Sequence, residues 1–533
     1  MPLEAAVTRP PRVLSSPLRT RPGSRPRRGG GPDQRRRTAG IVVAAVVTVV
    51  AVVTATAQDS RAAGYQSRDA ALRREVGRLM ADPRVSASSA RVGVTVQDAS
   101  TRVPVYVRYA NTPLMPASTQ KVFTAAAAMN VLGSGYRWNT DVLAPKAPSA
   151  GVVSRLYLRG RGDPTLMEKD LTALAAALRS KGVTRVAGDV VGDATYFDEQ
   201  RYSPYWSSAY ASDYYAAQVS GLTLAPDTDY DAGTVIVNVT PSGTAGARPR
   251  LTLTPPSAAR TVTLVNQVST GTKGSATTLS LTRRSGTNVV TVSGRVAVGR
   301  STVRKWVTVN EPAILAARAF RDRLVAAGIR VDGTAVKGRT PTGQTLLARH
   351  ASMTLAQLLV PFLKLSNNSH GEAIVKTLGA RTGRPGSWAD GTAAVRAFAA
   401  RVGIDVRGLR FVDGSGLARA NRLTPNQLAA LLDKVQRTSW AGTFRAALPI
   451  AGRDPVRWSG GTLASRMKGT AAAGNLSAKN GSLTGVSTLA GYVTGADGRR
   501  YVFVMMGNYG GSSTRPVEDR LGVLLAGWRM TNR

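Results

Sequence analysis

Ser118 and Lys121 stand three positions apart in the run PASTQKVFTAAAAMNVLG. A serine hydroxyl becomes a nucleophile when an adjacent base takes its proton and amide donors meet the oxyanion. Lysine can be that base where burial and neighbouring charge depress its pKa. On a helix, positions i and i+3 share a face, and a serine at the helix start has its N–H where the helix dipole favours negative charge. The pair therefore suits acyl transfer without histidine. Spacing alone is weak evidence, because Ser465 and Lys468 repeat it.

The chain has two histidines, His350 and His370, and neither belongs to a nucleophile elbow. Both read as satisfied or exposed side chains rather than as a base. With no cysteine, disulfides and cysteine-ligated metal centres are excluded. The expectation is an enzyme with no metal and no other cofactor.

Two more short motifs give Ser118 its context. Ser366-Asn367-Asn368 is the only S-x-N in the chain, and Lys479-Asn480-Gly481 the only K-x-G. The order S-x-x-K, S-x-N, K-x-G is that of serine β-lactamases and penicillin-binding proteins. Ser118 and Ser366 are 248 residues apart, too far for a compact β-lactamase. With that gap, and with DGSGL at 413–417, NRLTP at 421–425 and KNGSL at 479–483, the sequence resembles the penicillin-binding protein 4-like D-alanyl-D-alanine carboxypeptidases/endopeptidases over roughly residues 68–530.

The resemblance implies roles. Ser118 would form the acyl-enzyme, Lys121 would take its proton, and Ser366 would relay a proton to the leaving D-alanine. Asn368 would bind the substrate backbone, and Lys479, on an edge strand, would supply positive charge for Ser366 and the terminal carboxylate. The backbone N–H groups of Ser118 and Ser482 would form the oxyanion hole. Asn480 departs from the family's usual threonine, whose hydroxyl helps hold that carboxylate. Asn367 replaces the commoner aspartate. Asp413 and Ser415 read as a turn near the site.

The elements that must position these residues follow from local pattern. An amphipathic helix is expected over 68–84, two β-rich runs over 91–109, and a helix from near Ser118 to Gly133. Residues 139–345 carry short Val/Thr/Leu runs between Gly, Pro, Asp and Ser, which predicts β-rich inserted domain(s), with helical periodicity at 311–328. Further helices are expected at 354–365 and after the Ser366 turn. The Asp497-Gly498 pair predicts a hairpin, and a last helix should run from near Val517 to the C-terminus. The resulting fold class is α/β (α+β): a β-lactamase/transpeptidase-like domain from 68–138 and 346–533, an antiparallel sheet flanked by helices, interrupted by the insertion.

Charge and hydropathy bear on location. The 533-residue chain has a net charge of +40. Ten arginines against Glu4 and Asp33 make residues 1–38 a basic tail too rich in Pro, Gly and Arg to fold. Residues 39–57 hold no charge and follow Arg35-Arg36-Arg37. That pattern predicts a transmembrane signal-anchor, or a signal peptide cut after Ala57, with the rest exported. No zinc spacing or helix-turn-helix signature supports nucleic acid as a partner. The expected partners are the peptidoglycan stem peptide, β-lactams as inhibitors, and the membrane through 39–57. Two alternatives are a β-lactamase of the same superfamily and a catalytically weak wall-binding protein.

Overall fold

The computed structural model describes residues 69–453 and 457–529. The basic tail and the apolar segment 39–57 lie outside these residues. Among the described residues no helix is long and apolar enough to cross a membrane.

Helix α1 (Ala70–Leu79) leads into strands β1 (Ala90–Asp98) and β2 (Pro104–Arg108). The helix expected over 68–84 stops early. Asp82 caps a separate four-residue turn that opens on Pro83, whose ring cannot continue the preceding helix. Near the C-terminus, strands β3 (Ser477–Leu483), β4 (Val486–Thr494) and β5 (Arg500–Tyr509) complete a five-stranded antiparallel sheet in the order β3-β4-β5-β1-β2. The predicted hairpin joins β4 to β5, with Thr494 paired to Arg500 and Gly498 in the left-handed region.

This sheet is covered on both faces, which explains the unbroken apolar run from Tyr501 to Met506. Tyr501, Phe503 and Met505 pack with α1 and with the last helix, Arg515–Gly527. Val502, Val504 and Met506 face the opposite way into the largest core. Alternate strand residues point to opposite faces, so one run serves two cores. Each fully buried side chain of this size contributes roughly 1.5–3 kcal/mol.

The second core is built around α2 (Lys121–Val131), whose residues from Lys121 to Met129 are all buried. A helix apolar on every side belongs in an interior. Around it pack α3 (Leu355–Lys364), α4 (Asn368–Ala380), α5 (Trp388–Arg401) and α6 (Pro425–Val435). Thr354 and Gln357 form the capping box that opens α3.

Between α2 and α3 the chain leaves through strand Asn139–Ala144 and returns through Thr345–Ala351, and these two strands pair antiparallel. The intervening residues form four further sheets or parts of sheets, not β structure alone. Helices Glu168–Ser180 and Pro312–Ala326 pack on a mixed five-stranded sheet with parallel pairs. Valine-rich strands from Thr234 to Thr308 form a separate apolar cluster.

Candidate active site

Ser118 sits at the start of α2, as expected, but in a 3-10 turn (Ala117–Gln120) rather than in the α-helix itself. Three contacts fix this turn. The Asn508 side chain on β5 exchanges hydrogen bonds with Met115 N–H and C=O, at 2.9 and 3.1 Å. The Thr488 hydroxyl on β4 donates to Pro116 C=O at 2.9 Å. Ala117 adopts φ 46°, a strained conformation for a residue with a Cβ. The sheet thus holds the loop that carries the hydroxyl.

Lys121 is fully buried and its ammonium has three partners. It donates to Ser118 Oγ at 2.9 Å, Asn368 Oδ1 at 2.7 Å and Ser415 C=O at 2.8 Å. Burial pushes its pKa down to about 7, against the opposing charges of Glu372 and Asp413. Loss of one proton therefore leaves a lone pair for the Ser118 hydroxyl, while two N–H groups stay anchored on Asn368 and Ser415. That is the arrangement a lysine base requires.

Ser366 and Asn368 come from the turn between α3 and α4. Ser366 is in the left-handed region with φ 60°. It lines a cleft with Asn368, Tyr215, Lys364 and Thr462. Asn368 was expected to bind substrate, yet both ends of its amide are engaged within the protein. Oδ1 accepts from Lys121, and Nδ2 donates to Tyr215 C=O at 2.8 Å. Asn367, not Ser366, caps α4 through His370 N–H. Its Nδ2 faces the carbonyls of Asp229 and Tyr230 and the Asp231 carboxylate, all at 3.0–3.1 Å. These are acceptors that an aspartate could not serve.

Lys479 lies on the edge strand β3, fully buried, and donates to Asn480 C=O at 2.7 Å. Burial, then the charges of Lys121 and Arg466, hold its pKa well below that of an ordinary lysine. Gly481 explains the glycine of K-x-G. A Cβ there would lie 2.4 Å from Thr488 Oγ1 and 2.8 Å from both Pro116 O and Ser118 N. Only a glycine lets β3 approach the Ser118 amide so closely. Asn480 Oδ1 accepts from the Thr462 hydroxyl at 2.5 Å. The exposed Ser482 hydroxyl accepts from Arg515 at 2.8 Å.

The DGSG turn is more than a loop near the site. Both oxygens of the buried Asp413 carboxylate are occupied, Oδ1 by Gly416 N–H and Asn421 and Oδ2 by Ala418 N–H and Trp206 Nε1. Glu372, which lies in none of the sequence motifs, accepts from Gly414 N–H, Ser415 N–H and Trp388 Nε1 at 2.7–2.9 Å. Its burial, and then Asp413, raise its pKa. Together the two carboxylates present the Ser415 carbonyl to Lys121. The only sequence signal for Glu372 was an acidic residue one helical turn after Asn368, on the same face of α4.

His370 is buried with Nε2 3.0 Å from Tyr230 C=O, and burial pushes its pKa down to about 3. It stays neutral, and so low a pKa makes it a poor proton acceptor. Ser465 and Lys468, the decoy pair, are both exposed in a turn segment.

Residues 72–527 match the model of the D-Ala-D-Ala carboxypeptidase 3 (S13) family. The chain belongs to this family. A D-alanyl-D-alanine carboxypeptidase of Actinomadura sp. (strain R39) is 38% identical over 485 residues, 85% of this chain and 84% of that protein. Carboxypeptidase DacB of Mycolicibacterium smegmatis is 28% identical, over 81% of this chain and 79% of the relative. Among solved structures, penicillin binding protein 4 (dacB) from Haemophilus influenzae superposes with a TM-score of 0.71 at 24% identity. That match covers 84% of this chain and 97% of the other, and it establishes the shared fold.

Proposed function

We propose that this S13-family protein is a serine D-alanyl-D-alanine carboxypeptidase that acts on peptidoglycan stem peptides through an acyl-enzyme on Ser118. The observation that carries the reading is the buried Lys121, bonded at once to Ser118 Oγ, Asn368 and the Ser415 carbonyl.

Neutral Lys121 takes the Ser118 proton as Oγ attacks the carbonyl carbon of the penultimate D-alanine. The resulting oxyanion is met by the N–H groups of Ser118 and Ser482, on the turn and strand that Gly481 brings together. Ser366 relays to the departing D-alanine nitrogen the proton that Lys121 took from Ser118, and the C–N bond breaks as the carbonyl re-forms. Water then cleaves the ester and restores the serine. Asn368 holds Lys121. The substrate's terminal carboxylate favours the ammonium form of the buried Lys479 and is received by that charge and by the Asn480 amide. β-Lactams enter the same path and stop at the acyl-enzyme.

We read 139–345 as an inserted unit that buttresses the site through Tyr215, Trp206 and Asp231. The apolar segment 39–57 behind an arginine cluster, and a substrate found outside the cytoplasm, support an extracytoplasmic location with 39–57 as membrane anchor or cleaved signal.

Incubation with a labelled penicillin followed by peptide mapping tests the nucleophile, and D-alanine release from a stem pentapeptide tests the activity. The expected result is an adduct on Ser118 and release that Ser118→Ala abolishes. Folded protein that carries no adduct and releases no D-alanine would favour the wall-binding alternative.

A further inference from the structure

Residues 232–310 contain no Asp or Glu, yet they contain ten Lys or Arg. With 31 acidic residues in a chain of 533, about four or five would fall in a stretch of that length. The stretch is also a structural unit, because its six strands form two three-stranded sheets around one valine-rich core. Three of the ten basic groups are engaged within the protein. Arg283 is buried and donates to Thr308, Thr287 and Ala211, while Arg260 and Arg304 pair with Asp322 and Asp227 outside the stretch. The other seven are exposed and meet no carboxylate among the described residues.

Four of these seven converge on the Gly271 end of strand Thr263–Gly271. Thr270 N–H donates to Ala247 C=O at 2.9 Å, which sets Arg248 beside the strand. Lys273 follows Gly271 by two residues. The Arg295 stem lies against Gly271, where a Cβ would come within 2.5 Å of Arg295 Cδ. Val298 N–H donates to Gly271 C=O at 3.0 Å, two residues before Arg300. Ser293 pairs with Ser280 and Thr291 with Thr282, on the outward face that Arg295 continues and opposite the buried Val290 and Val292. Hydroxyls and unpaired cations thus share one surface.

Exposed charges gain little one at a time. A ligand with repeated anionic groups engages several at once and gains from each. Guanidinium groups suit phosphate and carboxylate alike. Trp306 is the only aromatic residue in the stretch, so no platform exists for stacked bases. Its longest helical piece is the five-residue turn Pro256–Arg260, too short to lie in a bilayer surface. Resting on the proposed function for its place at the cell wall, we propose that this end of the inserted unit docks an anionic wall polymer with repeated phosphate or carboxylate groups on a hydroxyl-rich backbone. Docking there holds the peptidase on the wall that supplies its substrate.

The test compares the full chain with two quadruple variants. One carries Arg248→Gln, Lys273→Gln, Arg295→Gln and Arg300→Gln. The other removes four exposed charges outside the stretch, through Arg74→Gln, Arg91→Gln, Lys146→Gln and Arg339→Gln. The basic tail is common to all three proteins and cancels in the comparison. Co-sedimentation is measured with purified walls before and after chemical removal of their anionic polymers, and binding with polyphosphate, polygalacturonate, single-stranded DNA and phosphatidylglycerol vesicles. The first variant should bind intact walls more than about tenfold more weakly, the second within about twofold of wild type, and stripped walls should erase the difference. Penicillin acylation of Ser118 should be unchanged in both, which reports an intact fold. A greater loss on polyphosphate or on polygalacturonate supports the inference and tells which anion is recognised. Equal losses in the two variants, a difference that persists on stripped walls, or a greater loss on DNA or vesicles than on either polymer would overturn it. No wall binding by a wild type that is acylated and releases D-alanine overturns the inference alone. Wall binding lost only in the first variant, in a protein that is not acylated and releases no D-alanine, removes the proposed function alone.

Discussion

Lys121 Nζ lies 2.9 Å from Ser118 Oγ, and the same nitrogen is held by a side chain 247 residues away and a carbonyl 294 residues away. The nucleophile and its base are neighbours in sequence, whereas the groups that hold the base come from α4 and the DGSG turn. That division sets what each substitution should do.

Acylation should depend on pH through Lys121. Its pKa near 7 means that below neutrality the ammonium has no lone pair for Ser118. The rate of penicillin acylation should fall about tenfold per pH unit on the acid side and level off above about pH 8. The same shift links to stability. Between about 7 and the ordinary 10.5 the unfolded chain keeps a proton that the folded one has released. The contribution of Lys121 therefore favours folding increasingly as pH rises through that window. A pH series of single-turnover acylation rates checks the first statement, and denaturant melts across the window check the second.

Asn368→Asp should move the acid limb upward. A carboxylate beside Lys121 favours the ammonium, and it also faces the Tyr215 carbonyl where an N–H stood. An upward shift of about one pH unit is expected, with slower acylation at pH 7. A profile that coincides with the wild type would show that Asn368 does not govern the proton on Lys121.

Glu372→Gln should move it the other way. Removing this charge eases deprotonation of Lys121, because Glu372 raises that pKa. The cost is stability, since one carboxylate oxygen becomes an NH2 facing backbone N–H donors of the DGSG turn. A loss of about 1–3 kcal/mol in denaturant unfolding is expected. Paired measurement of the acid limb and the unfolding midpoint checks both signs.

Gly481→Ala should damage the site without touching a titrating group. The added methyl meets Thr488, Pro116 and the Ser118 amide at 2.4–2.8 Å, and the last two contacts are backbone. Forcing β3 away from Ser118 should cost about 1–3 kcal/mol in stability and slow acylation by more than about tenfold through the oxyanion donors. The pH profile should keep its wild-type midpoint. A shifted midpoint would place the damage at Lys121 instead.

Much of the peptidase part was legible locally. The capped helix at Thr354, the Asp497-Gly498 hairpin and the helix after Ser118 each depend on residues within a few positions. Boundaries moved where a local breaker competed with periodicity, as at Asp82-Pro83, and where the last helix starts at Arg515 and ends at Gly527. The helices between 139 and 345 were only half seen. Pro312–Ala326 showed its period, but Glu168–Ser180 was hidden among turn residues and short valine runs.

Sequence alone determined the chemistry on offer: Ser118 and Lys121 within one helical turn, the order of three motifs, and a glycine after Lys479-Asn480. Those features are local, and backbone geometry makes their consequences readable at short range. The tertiary structure alone decided which groups hold Lys121, why Glu372 and Asp413 are buried, and that Thr462 meets Asn480. Such contacts join segments hundreds of residues apart. They also rely on burial, which depresses a lysine's pKa only once the surrounding helices and sheet have excluded water.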